Sequence, residues 1–306
     1  MKRFAWLFLL SIVTSVMATA EHRVLCVGND KLMVVQADGK IAWEMPWKGG
    51  THDLHVLKNG NVLAVRDGHV VVEVDRAMKK EVWSYDSAKM NGNEGKRVEV
   101  HAIQPLENGD VMIAESGPAR IIEVSRKGEL KKSVKLKLDK PDPHRDTRLA
   151  RKLDNGNYLV SHEGDGVVRE YDGDGKVVWE FPVPLFGKEP KPGHGPEAFG
   201  NQVFSAVRLT NGNTLIGTGN GHSILEVSPD KKIVWEVHQN DLTGITLAWV
   251  TTLDVRPNGN IVLGNCHAGP GQPQIVEIEH DSRHVILAFE HFDLLGNDLT
   301  NSMVLD

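Results

Sequence analysis

Histidine and arginine recur at fixed distances from a repeated turn in this sequence. An Asn-Gly pair occurs in five similar stretches, at Asn59, Asn108, Asn155, Asn211 and Asn258. The residues seven positions before these asparagines are His52, His101, Arg148, Phe204 and Thr251. The residues seven positions after them are Arg66, Glu115, His162, Thr218 and Asn265. His222 and His267 lie in adjoining segments, and Asn301 is the equivalent of the first set near the C-terminus.

These residue types carry acid–base and ligand-binding chemistry. Histidine can act as a general base, a nucleophile or a metal ligand, and the catalytic candidates are His52, His101, His162 and His222. Arginine can hold a carboxylate, sulfate or phosphate through paired hydrogen bonds. The candidates for ligand binding are Arg66, Glu115, Arg148, Asn265, His267 and Asn301. The alternative is that such side chains bind only water and each other.

The remaining polar motifs are less specific. The sequence contains no CxxC or HExxH spacing, so it assigns no metal site. The segment 142–146 (DPHRD) carries donor atoms for a metal, but charged loops with proline are usually just solvated. The segment 188–196 (KEPKPGHGP) is either a lid over a binding site or, more commonly, a plain surface loop.

The element that positions these residues is a repeated unit of four short strands. Residues 203–237 show it best, with alternating apolar residues in strands that are joined by tight turns. Asn211-Gly212 predicts a two-residue hairpin, because both residues tolerate positive φ. The turn asparagines are 49, 47, 56 and 47 residues apart. A four-stranded unit that repeats at this length is typical of a β-propeller.

The two ends of the chain supply a sixth copy. Residues 23–46 match strands two to four of the unit, and residues 301–306 (NSMVLD) match its first strand. A blade shared between the termini removes the open edges of the ring. The sequence therefore predicts an all-β, six-bladed propeller of four-stranded blades, rather than one of seven blades.

The propeller architecture predicts where the polar residues meet. Every Asn-Gly hairpin joins strands one and two, so all five lie on one face of the ring. The opposite face receives the long connections, at 86–99, 138–147, 183–202, 238–248 and 290–300. Because long loops on a rigid scaffold usually carry function, we expect both sets of residues to ring the channel mouth on this face.

Tryptophans occupy a fixed place on the fourth strand, at Trp43, Trp83, Trp179 and Trp235. Phe289 is expected to take that place in the last complete copy, whereas the copy at 101–128 has Ser133-Val134. Large rings at a repeat position usually pack between neighbouring blades.

A family resemblance rests on these phrases. Residues 39–43 (GKIAW), 175–179 (GKVVW) and 231–235 (KKIVW) resemble the repeat of quinoprotein-like (PQQ-like) propellers. Residues 52–61 (HDLHVLKNGN) resemble repeats of the arylsulfotransferase-like propellers in that superfamily. The resemblance implies the fold over most of the chain. The chain lacks the length and the vicinal cysteine pair of quinoprotein dehydrogenases, so bound PQQ is not expected and the cofactor is left open.

The first twenty residues have the pattern of a secretory signal peptide. Lys2 and Arg3 precede an apolar run, and small residues end at Ala20, after which cleavage is expected. The run is short for a membrane span. We therefore predict a signal peptide at 1–20, one propeller domain at 21–306, and a secreted or periplasmic location with no membrane span in the mature chain. Export permits a Cys26–Cys266 disulfide, although the expected strand offset does not favour one.

The predicted function is binding. The formal net charge of −6 makes nucleic acid an unsuitable partner. We predict an exported binding or scaffold protein that recognises a small polar ligand, a glycan or a protein at the long-loop face. The alternative is a propeller enzyme, such as a lyase, a hydrolase or a sulfuryl transferase, that uses histidine and arginine at the channel mouth. A PQQ-type quinoprotein is the third option.

Overall fold

The computed structural model describes residues 22–305, and these residues form six four-stranded antiparallel sheets with one short helix, Phe292–Leu295. From the channel outward, the strands of blade 1 are Ser302–Val304, Val24–Gly28, Lys31–Val35 and Ile41–Pro46, and those of blade 2 are Leu54–Val56, Val62–Arg66, Val70–Asp75 and Lys80–Asp86. In the same order, blade 3 consists of Glu99–Pro105, Val111–Ser116, Arg120–Val124 and Leu130–Lys135, and blade 4 of Ala150–Lys152, Tyr158–His162, Val167–Tyr171 and Val177–Pro182. Blade 5 consists of Ser205–Arg208, Thr214–Gly217, Ile224–Val227 and Ile233–Val237, and blade 6 of Trp249–Val255, Ile261–Cys266, Ile275–Ile278 and Val285–Phe289. The predicted six-bladed propeller is confirmed.

The ring closes through a blade that both ends of the chain share. Ser302–Val304 pairs antiparallel with Val24–Gly28, and Cys26 lies opposite Ser302. Thr300 and Asn301 donate hydrogen bonds to carbonyl oxygens of the segment that precedes the first strand of blade 2. The C-terminal strand therefore joins blade 1 to blade 2, as predicted.

The Asn-Gly turns differ in detail from the predicted two-residue hairpin. In blade 2 the amide of Gly60 donates to the carbonyl of Leu57, and the amide of Leu57 donates to the carbonyl of Asn61. Only the glycine has positive φ, at 85°, and the asparagine before it does not. The loop is therefore a three-residue turn with glycine in the left-handed region, and this geometry recurs at the other Asn-Gly pairs.

A buried glutamate in the third strand ties the turn to the rest of its blade in blades 2, 4, 5 and 6. Glu73 accepts a 2.7 Å hydrogen bond from the Asn61 amide and an ion pair from Arg126 of blade 3. Glu226 likewise accepts from Asn213 and from His280 of blade 6. A buried carboxylate is tolerable only when hydrogen-bonded and paired, so these contacts join neighbouring blades.

The tryptophans pack between blades, as the sequence predicts. The indole nitrogen of Trp83 donates a 2.8 Å hydrogen bond to the Arg126 carbonyl of the next blade, and the Arg126 guanidinium lies 4.6 Å from the ring centroid. One expectation is wrong: blade 6 places Leu287, and not Phe289, at the tryptophan position opposite the buried glutamate. Phe289 lies two residues further along, opposite Ile275, on the same face of the strand.

The apolar core is divided among the gaps between blades. One cluster, for example, joins Leu63 and Tyr85 of blade 2 to Ile103 and Ile113 of blade 3. Cys26 and Cys266 are both buried free thiols. The predicted signal peptide lies outside the described residues, and within 22–305 no helix is both long and apolar enough to cross a membrane.

Candidate functional site

The first set of predicted residues converges at the channel mouth. The rings of His52 and His101 are 4.5 Å apart between centroids, and His52 lies 6.2 Å from Phe204. The guanidinium of Arg148 stands 5.1 Å from the Phe204 ring centroid. Each residue enters the ring at the start of the innermost strand of its blade. The fixed distance from the turn therefore placed five side chains from five blades correctly, since Thr251 also lines the mouth.

These side chains surround a cavity of about 320 Å³. The lining residues are His52, His144, Arg145, Arg148, Glu163, His194, Gln202, Phe204, Trp249, Thr251, Cys266, His267 and Thr300. The volume is at the lower end of the range of small-molecule sites, and flat rings with a few polar groups are their usual lining. The cavity therefore has the size of a binding site, with a lining that is more polar than most.

Arg148 is the charged centre of this cavity, and only 4% of its surface is exposed. Its Nε pairs with Glu163. Its two terminal nitrogens donate to the Nε2 atoms of His101, at 3.3 Å, and of His144, at 3.2 Å. The guanidinium therefore fixes one carboxylate and two imidazole rings at once, and it orients both imidazole lone pairs towards itself.

The histidines around Arg148 are held neutral. Burial and the positive charge of Arg148 lower the pKa of His101 to about 4. Burial, together with repulsion from His101, Arg148 and His144, lowers the pKa of His52 well below its usual range. At neutral pH both rings are uncharged, so each has one nitrogen that donates a hydrogen bond and one that accepts. Each ring can accept a proton, and neither carries the second proton that a general acid releases.

Two buried polar atoms at the cavity lack partners among the described residues. They are Nδ1 of His52 and the hydroxyl oxygen of Thr251. Buried polar groups in proteins nearly always have a hydrogen-bond partner, and an exception calls for an explanation. Both residues line the cavity, and because the two atoms are themselves buried, a polar ligand reaches them when the side chains turn towards it.

The loop at 188–196 covers one side of the cavity. His194 stacks on Trp249 with ring centroids 5.2 Å apart, and it lies 5.0 Å from His267. His267 also contacts Asp298 at 3.1 Å, and burial lowers its pKa. The loop therefore contributes a ring to the cavity wall, which accords with the lid interpretation of this segment.

The second set of predicted residues does not line this cavity. Arg66 pairs with Glu81, and Glu115 pairs with Arg120. His162 contacts the Asp146 carbonyl at 2.6 Å. The others are also held by backbone or neighbouring groups: Thr218 by Ser223, Asn265 by Ala248 and Thr246, and His222 by the carbonyls of Ala248 and Ala198.

In two blades the residue one position later lines the cavity instead. Cys266 ends its strand, in which successive side chains point to opposite faces, and Glu163 lies in the turn after its strand. Glu163 and Cys266 line the cavity, and each directly follows a residue of the second set, His162 and Asn265. Asn301 belongs to the first set, but its amide donates to the His52 carbonyl and positions the loop that carries His52.

Sequence reasoning did not single out several residues of the site. Glu99, Glu163 and Trp249 are at strand ends, and His194 is in the loop at 188–196. His144 lies in the segment 142–146, whose donor atoms were the one available signal for it.

A larger groove of about 740 Å³ lies on the opposite face, between blades 5 and 6. Its walls are the turns at Asn211 and Asn258 and the ion pair of Glu226 with His280. Arg208, which also lines the groove, has an unpartnered buried Nε atom as well. The smaller cavity differs because the histidines from several blades converge there on the buried Arg148. We therefore place the candidate site at the long-loop face.

Comparison with known families agrees with this architecture. The family described as outer membrane protein assembly factor BamB matches residues 28–269. The quinoprotein-like repeat predicted from the sequence is thereby confirmed. A search of curated proteins found no match to this sequence.

Solved structures similar to this chain are propellers of low sequence identity. A protein of unknown function from Bacteroides caccae is 23% identical with a TM-score of 0.75, and the alignment covers 92% of this chain and 98% of that one. A streptogramin B lyase is 13% identical with a TM-score of 0.56, covering 86% and 76%. A catalytically inactive virginiamycin B lyase from Staphylococcus aureus with quinupristin is 13% identical with a TM-score of 0.55, covering 90% and 86%. At these identities the similarity concerns the fold alone.

Proposed function

Since this chain belongs to the propeller family described as outer membrane protein assembly factor BamB, we propose that it is an exported binding protein that holds a small polar ligand at its long-loop face. Fold alone does not specify function, so the proposal rests on the cavity. The observation that carries it is the cavity of about 320 Å³, whose wall contains two buried atoms without partners among the described residues, His52 Nδ1 and Thr251 Oγ1.

The chemistry of the walls favours a sugar-sized ring with hydroxyl groups. Phe204 and Trp249 line the cavity, and each ring has one face covered, by Arg148 and His194 respectively. Glu163 and Gln202 offer acceptors and donors beside them, joined to each other by a 3.4 Å contact. Arg148 is already paired with Glu163, so the site does not present an unmatched positive charge to an anion. A neutral polyhydroxylated ligand therefore suits the cavity better than a sulfate or phosphate.

Isothermal titration calorimetry with glucose, N-acetylglucosamine, cellobiose and citrate tests the proposal. We expect at least one sugar to bind and citrate not to bind. The Thr251→Val substitution removes the hydroxyl at nearly constant volume and should weaken sugar binding by about three- to tenfold, the effect of one hydrogen bond. Thr210→Val, an exposed threonine on the opposite face, is the control. Failure of all three sugars to bind, or an unchanged affinity in Thr251→Val, would contradict the sugar assignment.

The location follows from the family and the predicted signal peptide. A chain of a family described as an outer membrane assembly factor is expected in the periplasm, and residues 1–20 have the pattern of a cleavable leader. Intact-mass measurement of the protein recovered from a periplasmic fraction should give a chain that begins at Glu21. A cytoplasmic, full-length chain would exclude export.

An enzyme remains the second candidate because of His52. Its ring is neutral and its Nδ1 is unpartnered among the described residues, so that atom can accept a proton, and its lowered pKa makes it a weak general base. Two similar structures are lyases, so quinupristin is a reasonable first substrate to try. Conversion followed by liquid chromatography and abolished in His52→Asn would support catalysis. Absence of conversion would remove this substrate and leave binding as the function.

A further inference from the structure

Three potential metal ligands meet beside Arg148, at the edge of the cavity. They are Glu99, His101 and His144, and one donor atom from each lies within 4.8 Å of the others. The Oε2 atom of Glu99 is 2.7 Å from Nδ1 of His144 and 3.2 Å from Nε2 of His101. We propose that these residues form a binding site for a divalent transition-metal ion, with zinc as the best match.

His101 is held in the orientation and tautomer that a metal ligand needs. Its Nδ1 donates a 2.7 Å hydrogen bond to the carbonyl of Thr147, and only 1% of its surface is exposed. The lone pair of the neutral ring is therefore on Nε2, which lies 3.2 Å from Glu99 and accepts a hydrogen bond from Arg148 at 3.3 Å. A metal ion bound at Nε2 would replace that hydrogen bond. Histidine ligands in metalloproteins commonly donate their other N–H to a backbone carbonyl in this way, and that bond fixes the ring.

The two carboxylate oxygens of Glu99 have different partners. Its Oε1 accepts hydrogen bonds from Arg97 at 2.6 and 3.1 Å. Its Oε2 is turned towards both imidazole rings. The carboxylate is thus oriented by Arg97 and presents a single oxygen to the position between the rings.

His144 completes the set and is the ligand that must adjust. In tetrahedral zinc sites with bonds near 2.0–2.1 Å the ligand atoms are roughly 3.3 Å apart. The contact of Glu99 Oε2 with His101 already fits, whereas the 2.7 Å contact with His144 must open by about half an ångström. The side chain of His144 is half exposed, with 51% accessible, so it can tilt. Its Nε2 would then carry the hydrogen and release Arg148.

The charges around the cluster are balanced before an ion binds. Glu99 is matched by Arg97 and Glu163 by Arg148, so the choice of ion rests on the types of ligand. The imidazoles are the ligands that zinc, copper, nickel and iron prefer, whereas magnesium and calcium prefer oxygen. Two histidines and one carboxylate leave the fourth position open, which is the arrangement of catalytic rather than structural zinc sites.

The open position has room for a ligand. A second cavity of about 300 Å³ borders Glu99 and His101, and His52 lines both cavities. A metal ion at the cluster would therefore contact molecules that enter the channel mouth. This inference goes beyond the sugar site, because binding of an ion requires only the three ligands and no sugar.

Zinc titration of the full mature chain, purified without a histidine tag and freed of metal by a chelator, tests the inference. We expect one zinc ion per chain in a chelator-competition assay. Cobalt(II) should give visible absorption bands typical of four or five coordination. The Glu99→Gln and His144→Asn substitutions, both at partly exposed positions, should each weaken zinc binding by at least tenfold.

His267→Asn is the matched control, since His267 lies in the same cavity beside a carboxylate but outside the cluster. It should leave zinc affinity unchanged. The inference is overturned if the wild-type chain binds no zinc, or if Glu99→Gln and His144→Asn bind it as tightly as wild type. A loss in His267→Asn alone would place the ion elsewhere and would also overturn it. Sugar binding by the metal-free chain is measured separately, so either proposal can fail without the other.

Discussion

His162 should make the stability of this propeller depend on pH. It is fully buried at the end of the second strand of blade 4. Its Nδ1 contacts the Asp146 carbonyl at 2.6 Å, and its Nε2 lies 2.8 Å from the Tyr171 hydroxyl. Burial, the largest cause, lowers the pKa of His162 to about 4, against the ordinary value of 6.5, although the hydrogen bond to Asp146 opposes the shift.

The sign and size of the effect follow from these two values. Between pH 6.5 and 4 the unfolded chain binds a proton at this histidine and the folded chain does not, so the free energy of unfolding falls as the pH falls. The difference between pH 7 and pH 5 is about 2 kcal/mol for His162 alone. Above pH 7 both states are neutral and the effect is absent.

Urea denaturation at pH 7, 6 and 5, followed by tryptophan fluorescence, measures the effect. The His162→Asn substitution keeps a donor for the Asp146 carbonyl but cannot titrate. We expect this variant to be less stable at pH 7, and to lose about 2 kcal/mol less than wild type on going to pH 5. His284→Asn, at an exposed histidine, is the control and should follow wild type.

The slope, and not the stability at pH 7, decides the outcome. If wild type and His162→Asn lose equal stability between pH 7 and pH 5, His162 does not remain neutral in the folded protein and the reasoning is refuted. A larger loss in the variant would refute it as well, because the sign would be opposite.

Three further perturbations test the architecture. Ending the chain at residue 300 removes the strand that closes the ring. The free energy of unfolding should fall by about 4 kcal/mol, because apolar burial and backbone hydrogen bonds are lost. An unchanged thermal midpoint in calorimetry would contradict ring closure. Asp53→Asn breaks a buried ion pair in which Arg151 donates to Asp53 at 2.6 and 3.0 Å. Urea denaturation at pH 7 should show a free energy of unfolding lower by about 3 kcal/mol. A variant as stable as wild type would show the pair to be dispensable. Trp83→Phe should cost about 1 kcal/mol more than Trp235→Phe, because only Trp83 loses an indole hydrogen bond; equal losses would exclude a role for that bond.

The fold was accessible from the sequence because a propeller is a repeat. Five blades carry the same turn and four carry tryptophan at the same position, and each copy supports the register of the others. The exceptions arise where one copy deviates, as in blade 6, where the aromatic Phe289 lies two positions beyond the tryptophan position that Leu287 occupies.

The ring at the channel mouth was also accessible in part. His52, His101 and Arg148 each precede the turn asparagine of their blade by seven residues. That count carried them to the same end of the channel, although the innermost strands themselves have three to seven residues. The same count after the turn failed for His162 and Asn265, because an error of one residue in a strand turns a side chain to the opposite face.

The sequence by itself determined the blades, their number, the split blade that closes the ring, and the set of inner-strand residues that face the channel. It did so because strand period and turn chemistry are local properties that repeat. Only the tertiary structure decided which groups meet there. Glu99 and His144 are far apart in the sequence and share no motif, and irregular loops have no period from which their position could be read. Their approach to Arg148 depends on the closed ring, which brings the loops of different blades to one mouth.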